Sequence, residues 1–214
     1  MDREELPDAI LFDFDGVIVD SMHIRDLGYR KILEEFPQDL VNQFIKYHRV
    51  NGGLSRYVKI RYFYEKMLDR EISKAKVNQL AEQFSVIMKS KLKDPSIIIK
   101  ETLSFIKKYF QKIPFHIVSG SDQNELRYLC QSISIETYFL TIEGSPAFKS
   151  DLVSGIISNY KYKPVNTILI GDTINDYDAA RANGLKFFAY NNSYLKKISH
   201  RYIYSFEKIV FDEK

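Results

Sequence analysis

The sequence contains no tryptophan and one cysteine in 214 residues. A single cysteine excludes an internal disulfide and fits a reducing compartment. Cys130 lies in an apolar, helix-like stretch and reads as a packed thiol rather than a nucleophile. No apolar run approaches the roughly 20 residues that a membrane span needs. No charge of one sign dominates either: 31 basic against 28 acidic side chains leave +3, which argues for neither a nucleic acid nor a membrane surface as partner. There is no internal repeat and no low-complexity tract. The opening "MDREELPDAI" is acidic and polar, unlike a signal peptide. The expectation is a soluble, cytoplasmic protein. What the chain does have is a core: 45% of its residues are hydrophobic, with 15 Tyr and 15 Phe. That suffices for one large domain or a domain with an insertion.

The apolar run Ala9–Phe12 leads directly into Asp13-Phe14-Asp15-Gly16. Residues two apart on a strand share a face, so an extended chain would bring the two carboxylates together. Like charges buried together are costly unless a cation or a proton separates them. An Asp-rich turn after a strand is the plainer alternative. Further strands are expected at Phe115–Ser119, Tyr138–Ile142, Thr167–Ile170 and Lys186–Tyr190, with the first strand reaching Phe14. Nearly continuous apolar runs ending in polar residues are typical of a parallel sheet buried on both faces. Helical patterns at about Ile97–Tyr109, Gln123–Cys130, Lys149–Asn159 and Asp176–Asn183 alternate with them, which predicts a doubly wound α/β sheet. Ligands of such sheets bind at the carboxyl ends of the strands, where Asp13, Asp15, Ser119 and Asp172 fall. The segment from about Met22 to Lys93 has helical periodicity and no strand, and ends in the helix-breaking "KDPS".

Four polar clusters mark the expected strand ends. "DFDGV" carries Asp13 and Asp15. "IVSGSD" carries Ser119, with Gly120 and Ser121 offering backbone amides to an anion. "GSPAFKSDLV" carries Lys149, and "ILIGDTINDYDAA" carries Asp172 and Asp176. Singly, Ser119 could cap a helix, Lys149 could lie on the surface, and the two later aspartates could cap a helix. Together, hard oxygen ligands suit Mg²⁺, while the hydroxyl, amides and lysine suit a phosphoryl group. A phosphate dianion beside Asp13, Asp172 and Asp176 gathers about five negative charges, of which Mg²⁺ and Lys149 offset about three.

In order, spacing and strand context these clusters resemble the four motifs of the haloacid dehalogenase superfamily, phosphohydrolase branch. The resemblance covers the whole chain, and the helical segment resembles that superfamily's first type of cap. It implies a Rossmann-like α/β core in residues 1–20 and 94–214 with an all-helical cap in 21–93. It implies Asp13 as nucleophile, Asp15 as acid and then base, and Ser119 and Lys149 as grips on the transferring phosphoryl. Asp13, the Asp15 carbonyl, Asp172 and Asp176 would hold or orient Mg²⁺. Asp15 would then have to carry a proton when substrate arrives, which a like-charged neighbour would favour.

The presence of Asp15 argues against dehalogenation, where the leaving halide needs no proton. Phospho-accepting receiver domains differ in carrying their acceptor on a later strand. A sugar phosphomutase with this cap type is the nearer alternative, beside a catalytically silent phosphate-binding protein. The loop "GGLSR" resembles a mutase loop, but Gly52 stands where the mutases have lysine, Arg25 stands where they have histidine, and His23 comes two residues too early. Arg56 remains, a guanidinium able to hold an anionic group of the substrate; Gly53, in a tight Asn51-Gly52-Gly53 loop, and more weakly Arg25 are further substrate contacts. The expected activity is Mg²⁺-dependent hydrolysis of a small phosphate monoester, either a sugar phosphate or a phosphoglycolate-like acid. A monomer or small homo-oligomer is expected.

Overall fold

The computed structural model describes residues 4–212. The outermost residues, 1–3 and 213–214, to which the expected core bounds and the N-terminal reading extend, lie outside the described residues. Six parallel strands form the main sheet: β2 (Ala9–Phe12), β3 (Phe115–Asp122), β4 (Thr141–Ser145), β5 (Thr167–Gly171), β6 (Lys186–Tyr190) and β7 (Tyr202–Ile203). Their order is β4-β3-β2-β5-β6-β7, so β2 lies at the centre with its partners extending both ways. A short parallel pair, β1 (Glu4–Glu5) with β8 (Phe211–Asp212), joins the two ends of the described chain.

The central strand explains why its sequence is continuously apolar. Ile10 and Phe12 enter one core cluster with Phe105, Ile106 and Leu126, while Ala9 and Leu11 enter another with Val153, Ile156 and Ala180. The first of these faces carries α5 (Lys100–Tyr109) and α6 (Gln123–Ser132), and the second carries α7 (Lys149–Tyr160) and α8 (Ile174–Ala182). Helices on both faces of a parallel sheet require strands that are apolar on both sides.

Between β2 and β3 the chain inserts α1 (Met22–Ile32), α2 (Gln38–Val50), α3 (Arg56–Tyr62) and α4 (Lys74–Lys91). The apolar face of α4 runs Val77, Leu80, Ala81, Phe84 and Met88, the three-and-four spacing of one helix side. On α2 the same spacing runs Val41, Phe44, Ile45 and then His48, so a polar residue ends an inward stripe. Tyr29, Phe44, Phe63 and Phe84 interlock, with Tyr29 4.4 Å from Phe84 and Phe44 5.2 Å from Phe63 between ring centroids. No helix among the described residues is long and apolar enough to cross a membrane.

Four expectations shift in register. The strand expected at Tyr138–Ile142 is β4 at Thr141–Ser145, and Glu136–Tyr138 forms a 3₁₀ turn. An edge strand needs no second apolar face, so its sequence "TIEGS" is polar. β2 stops at Phe12 rather than Phe14, because Asp13 and Gly16 turn the chain away, Gly16 with φ +78°. α5 begins at Lys100, after a separate turn at Pro95–Ile97 capped by Asp94. Finally, α8 starts before Asp176, since Thr173 is its cap.

Candidate active site

The carboxyl end of the sheet gathers four charged side chains. Asp13 follows β2, its amide still bonded to the Ile170 carbonyl of β5 at 2.9 Å. Lys149 opens α7, and its Nζ lies 2.9 Å from Asp13 Oδ1 and also donates to Asp176 Oδ1. The other oxygen of Asp176 accepts from the amide and hydroxyl of Thr173 at 2.9 and 2.6 Å, closing a reciprocal cap at the start of α8. One carboxylate thus starts a helix and holds the lysine. Asp172 comes just after β5 and faces Gly16, where an added Cβ would sit 2.1 Å from Asp172 Oδ2. Only glycine fits there. Ser119 is buried on β3, and its Oγ accepts the Ser121 amide at 3.1 Å, so that amide is engaged within the strand end.

Asp13, Asp172 and Asp176 each offer an oxygen within 4.8 Å of the others, a set that could hold a metal ion. Burial raises the proton affinity of Asp13 and Asp172, and their neighbours' negative charge raises it further, with Lys149 opposing. Lys149 shifts upward: burial alone would lower it, but Asp13 and Asp176 outweigh that. Asp172 Oδ1 is buried with no hydrogen-bond partner. An orphaned carboxylate oxygen facing two more carboxylates is a site for a cation.

Asp15 lines one small cavity with Asp13, Ser119 and Asp172, but its carboxylate bonds elsewhere, accepting from Ser21 Oγ, from Arg25 Nε at 2.6 Å and from Ser121 Oγ at 2.7 Å. Burial raises its proton affinity, yet the Arg25 charge and these hydrogen bonds outweigh burial and hold it below the usual carboxylate range. The expectation that a like-charged neighbour keeps Asp15 protonated is therefore corrected. A cation, absent from that reasoning, sits against it.

The helical insert closes over this end. The Gly52-Gly53-Leu54 loop lies so close to β3 that a Cβ on Gly120 would sit 2.3 Å from the Gly53 carbonyl oxygen. Asn175 Nδ2 donates to that same oxygen at 2.9 Å, and Tyr57 Oη donates to Asp122 at 2.8 Å. Arg56 reaches inward as expected, but its Nη1 is held by Ser85 and Glu125, both at 2.6 Å. Sequence reasoning missed Glu125, Lys59 and His48, which are buried polar groups on helix faces with no local motif. Thr173 was missed as well, although Thr173 and Asp176 have the spacing of a capping box that could have found it.

The sequence pattern of the haloacid dehalogenase-like hydrolases matches residues 10–190. No curated protein matches the chain. Among solved structures, β-phosphoglucomutase from Clostridium difficile is similar, at 18% identity and TM-score 0.76, covering 95% of this chain and 93% of its own. CbbY from Rhodobacter sphaeroides, in complex with xylulose-(1,5)bisphosphate, is similar at 12% identity and TM-score 0.78, with 96% and 97% covered. A predicted phosphoglycolate phosphatase from Haemophilus somnus is similar at 16% identity and TM-score 0.69, with 96% and 94% covered. These likenesses establish the shared fold.

Proposed function

The chain belongs to the haloacid dehalogenase-like hydrolase family, and on that premise we propose that it is a Mg²⁺-dependent phosphatase acting on a small phosphate monoester through an aspartyl-phosphate. The observation that carries the reading is the convergence of Lys149 on Asp13 and Asp176 beside the unpartnered Asp172 oxygen. Three hard carboxylate donors fit Mg²⁺, which accepts one or two carboxylates together with phosphate oxygens. Asp13, Asp172 and Asp176 would hold it, with the Asp15 carbonyl. When bound, the ion supplies charge neutralisation for the approaching phosphate dianion.

In this reading Asp13 attacks phosphorus as its carboxylate, and Lys149 stabilises both that carboxylate and the phosphoryl oxygens. Ser119, with the Gly120 backbone, orients the transferring group. Asp15, ionised against Arg25, is in the form that takes a proton from the hydrolytic water. For the first step it must arrive protonated, and the negative charge of the incoming phosphoryl raises its proton affinity. Residues 21–93 act as a cap whose Gly53 loop seals the site during attack and parts for release. The partner is a small phosphorylated metabolite, and the setting is the cytoplasm.

The test is phosphate release from a panel of small esters, with Mg²⁺ and with chelator, for the natural chain and Asp13→Asn. The reading expects release only with metal and only with Asp13. Release that persists in Asp13→Asn would remove the nucleophile from the mechanism. Conversion of sugar-phosphate isomers without release would favour the mutase instead.

A further inference from the structure

A second set of charges lies where the insert meets α6. Arg25 of α1 and Arg56 of α3 converge on Glu125 of α6, at 3.2 Å to Oε1 and 2.6 Å to Oε2. Glu125 is completely buried. Arg25 also donates from Nε to Asp15 and from Nη2 to Ser121 Oγ, the latter at 2.8 Å. Two guanidinium charges are thus matched one for one by two carboxylates, both belonging to the protein.

Asp15, Arg25, His48, Arg56 and Lys59 line a cavity at this junction, whose space for the centre of a water-sized molecule is about 20 Å³. That is room for about one water. A separate cleft of about 270 Å³ opens on the far side of the Gly53–Gly120 contact, lined by Leu54, Val58, Phe148 and Lys149 but not by Asp15. The leaving oxygen must face its proton donor, so the leaving group lies on the Asp15 side. One group there retains donor capacity: Arg56 Nη2 is buried without a partner. His48 Nε2 faces Asp26 Oδ1 at 3.7 Å, and Lys59 Nζ is engaged by the Gly52 carbonyl at 2.9 Å and by His48 Nδ1 at 3.1 Å. His48 is kept neutral by burial and by Lys59, Arg25 and Arg49, and Lys59 is pulled down to about 7 by burial and Arg25.

We propose that Glu125 occupies, as part of the protein, the place that a second anionic group of the substrate would take, so that the pocket selects a phosphate monoester with a small, neutral, hydroxyl-bearing leaving group. The proposal rests on the phosphatase reading above and narrows it. An incoming carboxylate finds both arginines already engaged by Glu125, which it meets as a like charge. A hydroxyl finds the unpaired Arg56 Nη2 donor and adds no charge. Glu125 touches no reacting atom. It acts as a positioning residue, through Arg25 and Arg56.

Two esters of matched size separate these cases: 2-hydroxyethyl phosphate and phosphoglycolate, compared by kcat/KM with Mg²⁺ at pH 8. The natural chain is expected to favour the hydroxyl ester by at least about tenfold, and Glu125→Gln to shift that ratio towards the carboxylate by at least about tenfold. Preference of the natural chain for phosphoglycolate overturns the proposal, as does an unchanged ratio in a folded Glu125→Gln. If Glu125→Gln fails to fold, by its thermal melt, the natural chain's ratio decides alone, and Glu125→Asp, which keeps the charge, is expected to retain the preference. If neither ester turns over, the phosphatase reading is what fails. Calorimetric titration of both esters into Asp13→Asn then reads the same preference as a ratio of Kd values, with the same outcomes.

Discussion

Two clusters of buried charge sit a few residues apart in space and are built in opposite ways. At the sheet end, Asp13, Asp172 and Asp176 are short side chains on strand ends and a first helical turn, where the backbone fixes them. In the insert, Arg25, Arg56 and Lys59 are long side chains projecting from helix faces. The first cluster sets three carboxylates against one lysine and is left short of positive charge. The second balances each arginine with a carboxylate of its own. A deficit of positive charge suits a cation, whereas balance leaves no net charge to attract a further ion. Groups that must meet a reacting atom are held by backbone, while groups that sort and position can be carried on flexible stems.

Replacing the sheet-end charge should have the largest effect. Asp13→Asn should lower phosphate release by on the order of 10³-fold or more while leaving a folded protein, because the proposed mechanism would lose its nucleophile and one metal ligand together. Equal loss of fold, seen by circular dichroism, would make Asp13 structural and erase the contrast. In the insert, Arg25→Met should cost about 3 kcal/mol of stability, since it strands Asp15 without a counter-charge, while Glu125 keeps Arg56. Denaturant unfolding reads this, and a loss under about 1 kcal/mol would mean the network is loosely held.

The contact between the regions is tested by Gly120→Ala. Its new Cβ would meet the Gly53 carbonyl at 2.3 Å, so the loop must lift. A displacement of that order should lower kcat/KM by about 10²-fold with little change in stability. An unaffected rate would show that closure by this loop is dispensable.

A smaller effect comes from pH. Burial depresses His116 to about 4, where its ring is held between Thr141 Oγ1 at 2.8 Å and Tyr162 Oη at 3.1 Å. Below its unfolded pKa of 6.5 the unfolded chain takes up the proton first, so stability falls as pH drops from 6.5 towards 4, by at most about 1.4 kcal/mol per unit. Asp13 and Asp172, with raised values, act in the opposite sense over part of this range, so the difference between the natural chain and His116→Gln is the quantity to measure. The variant's curve should be flatter by up to that slope. The smallest effect belongs to Arg49→Met. Its ion pair with Asp26 is short, at 2.5 Å, but Arg49 is 60% exposed, and a change within about 1 kcal/mol is expected.

The contrast between the clusters also explains what the sequence made legible. Strand ends write their charges beside an apolar run, so Asp13, Ser119, Lys149, Asp172 and Asp176 could be read as a set. The helix-face charges have no such marker: His48 stands where an apolar residue would complete its stripe, and Glu125 looks like any surface glutamate of an amphipathic helix. The direction of the Asp15 side chain was illegible for a similar reason. It depends on Ser21 and Arg25, whose approach is set by how α1 leaves the strand rather than by spacing. β7 and the β1–β8 pair, at two residues each, are too short to write any period.

The ion pairs of Glu125 bear on how the two regions come apart. Arg25 and Arg56 are anchored in the insert and Glu125 in the sheet's helix layer, so any parting of the two must break both pairs. A buried pair holds its attraction only against the hydration it has given up, and water returning to the gap restores that hydration. The seam richest in charge is therefore the seam that solvent can most readily re-enter, where an oily interface of equal area would resist wetting. Dissolved salt, by stabilising the freed arginines and glutamate, should tilt the molecule towards the parted form.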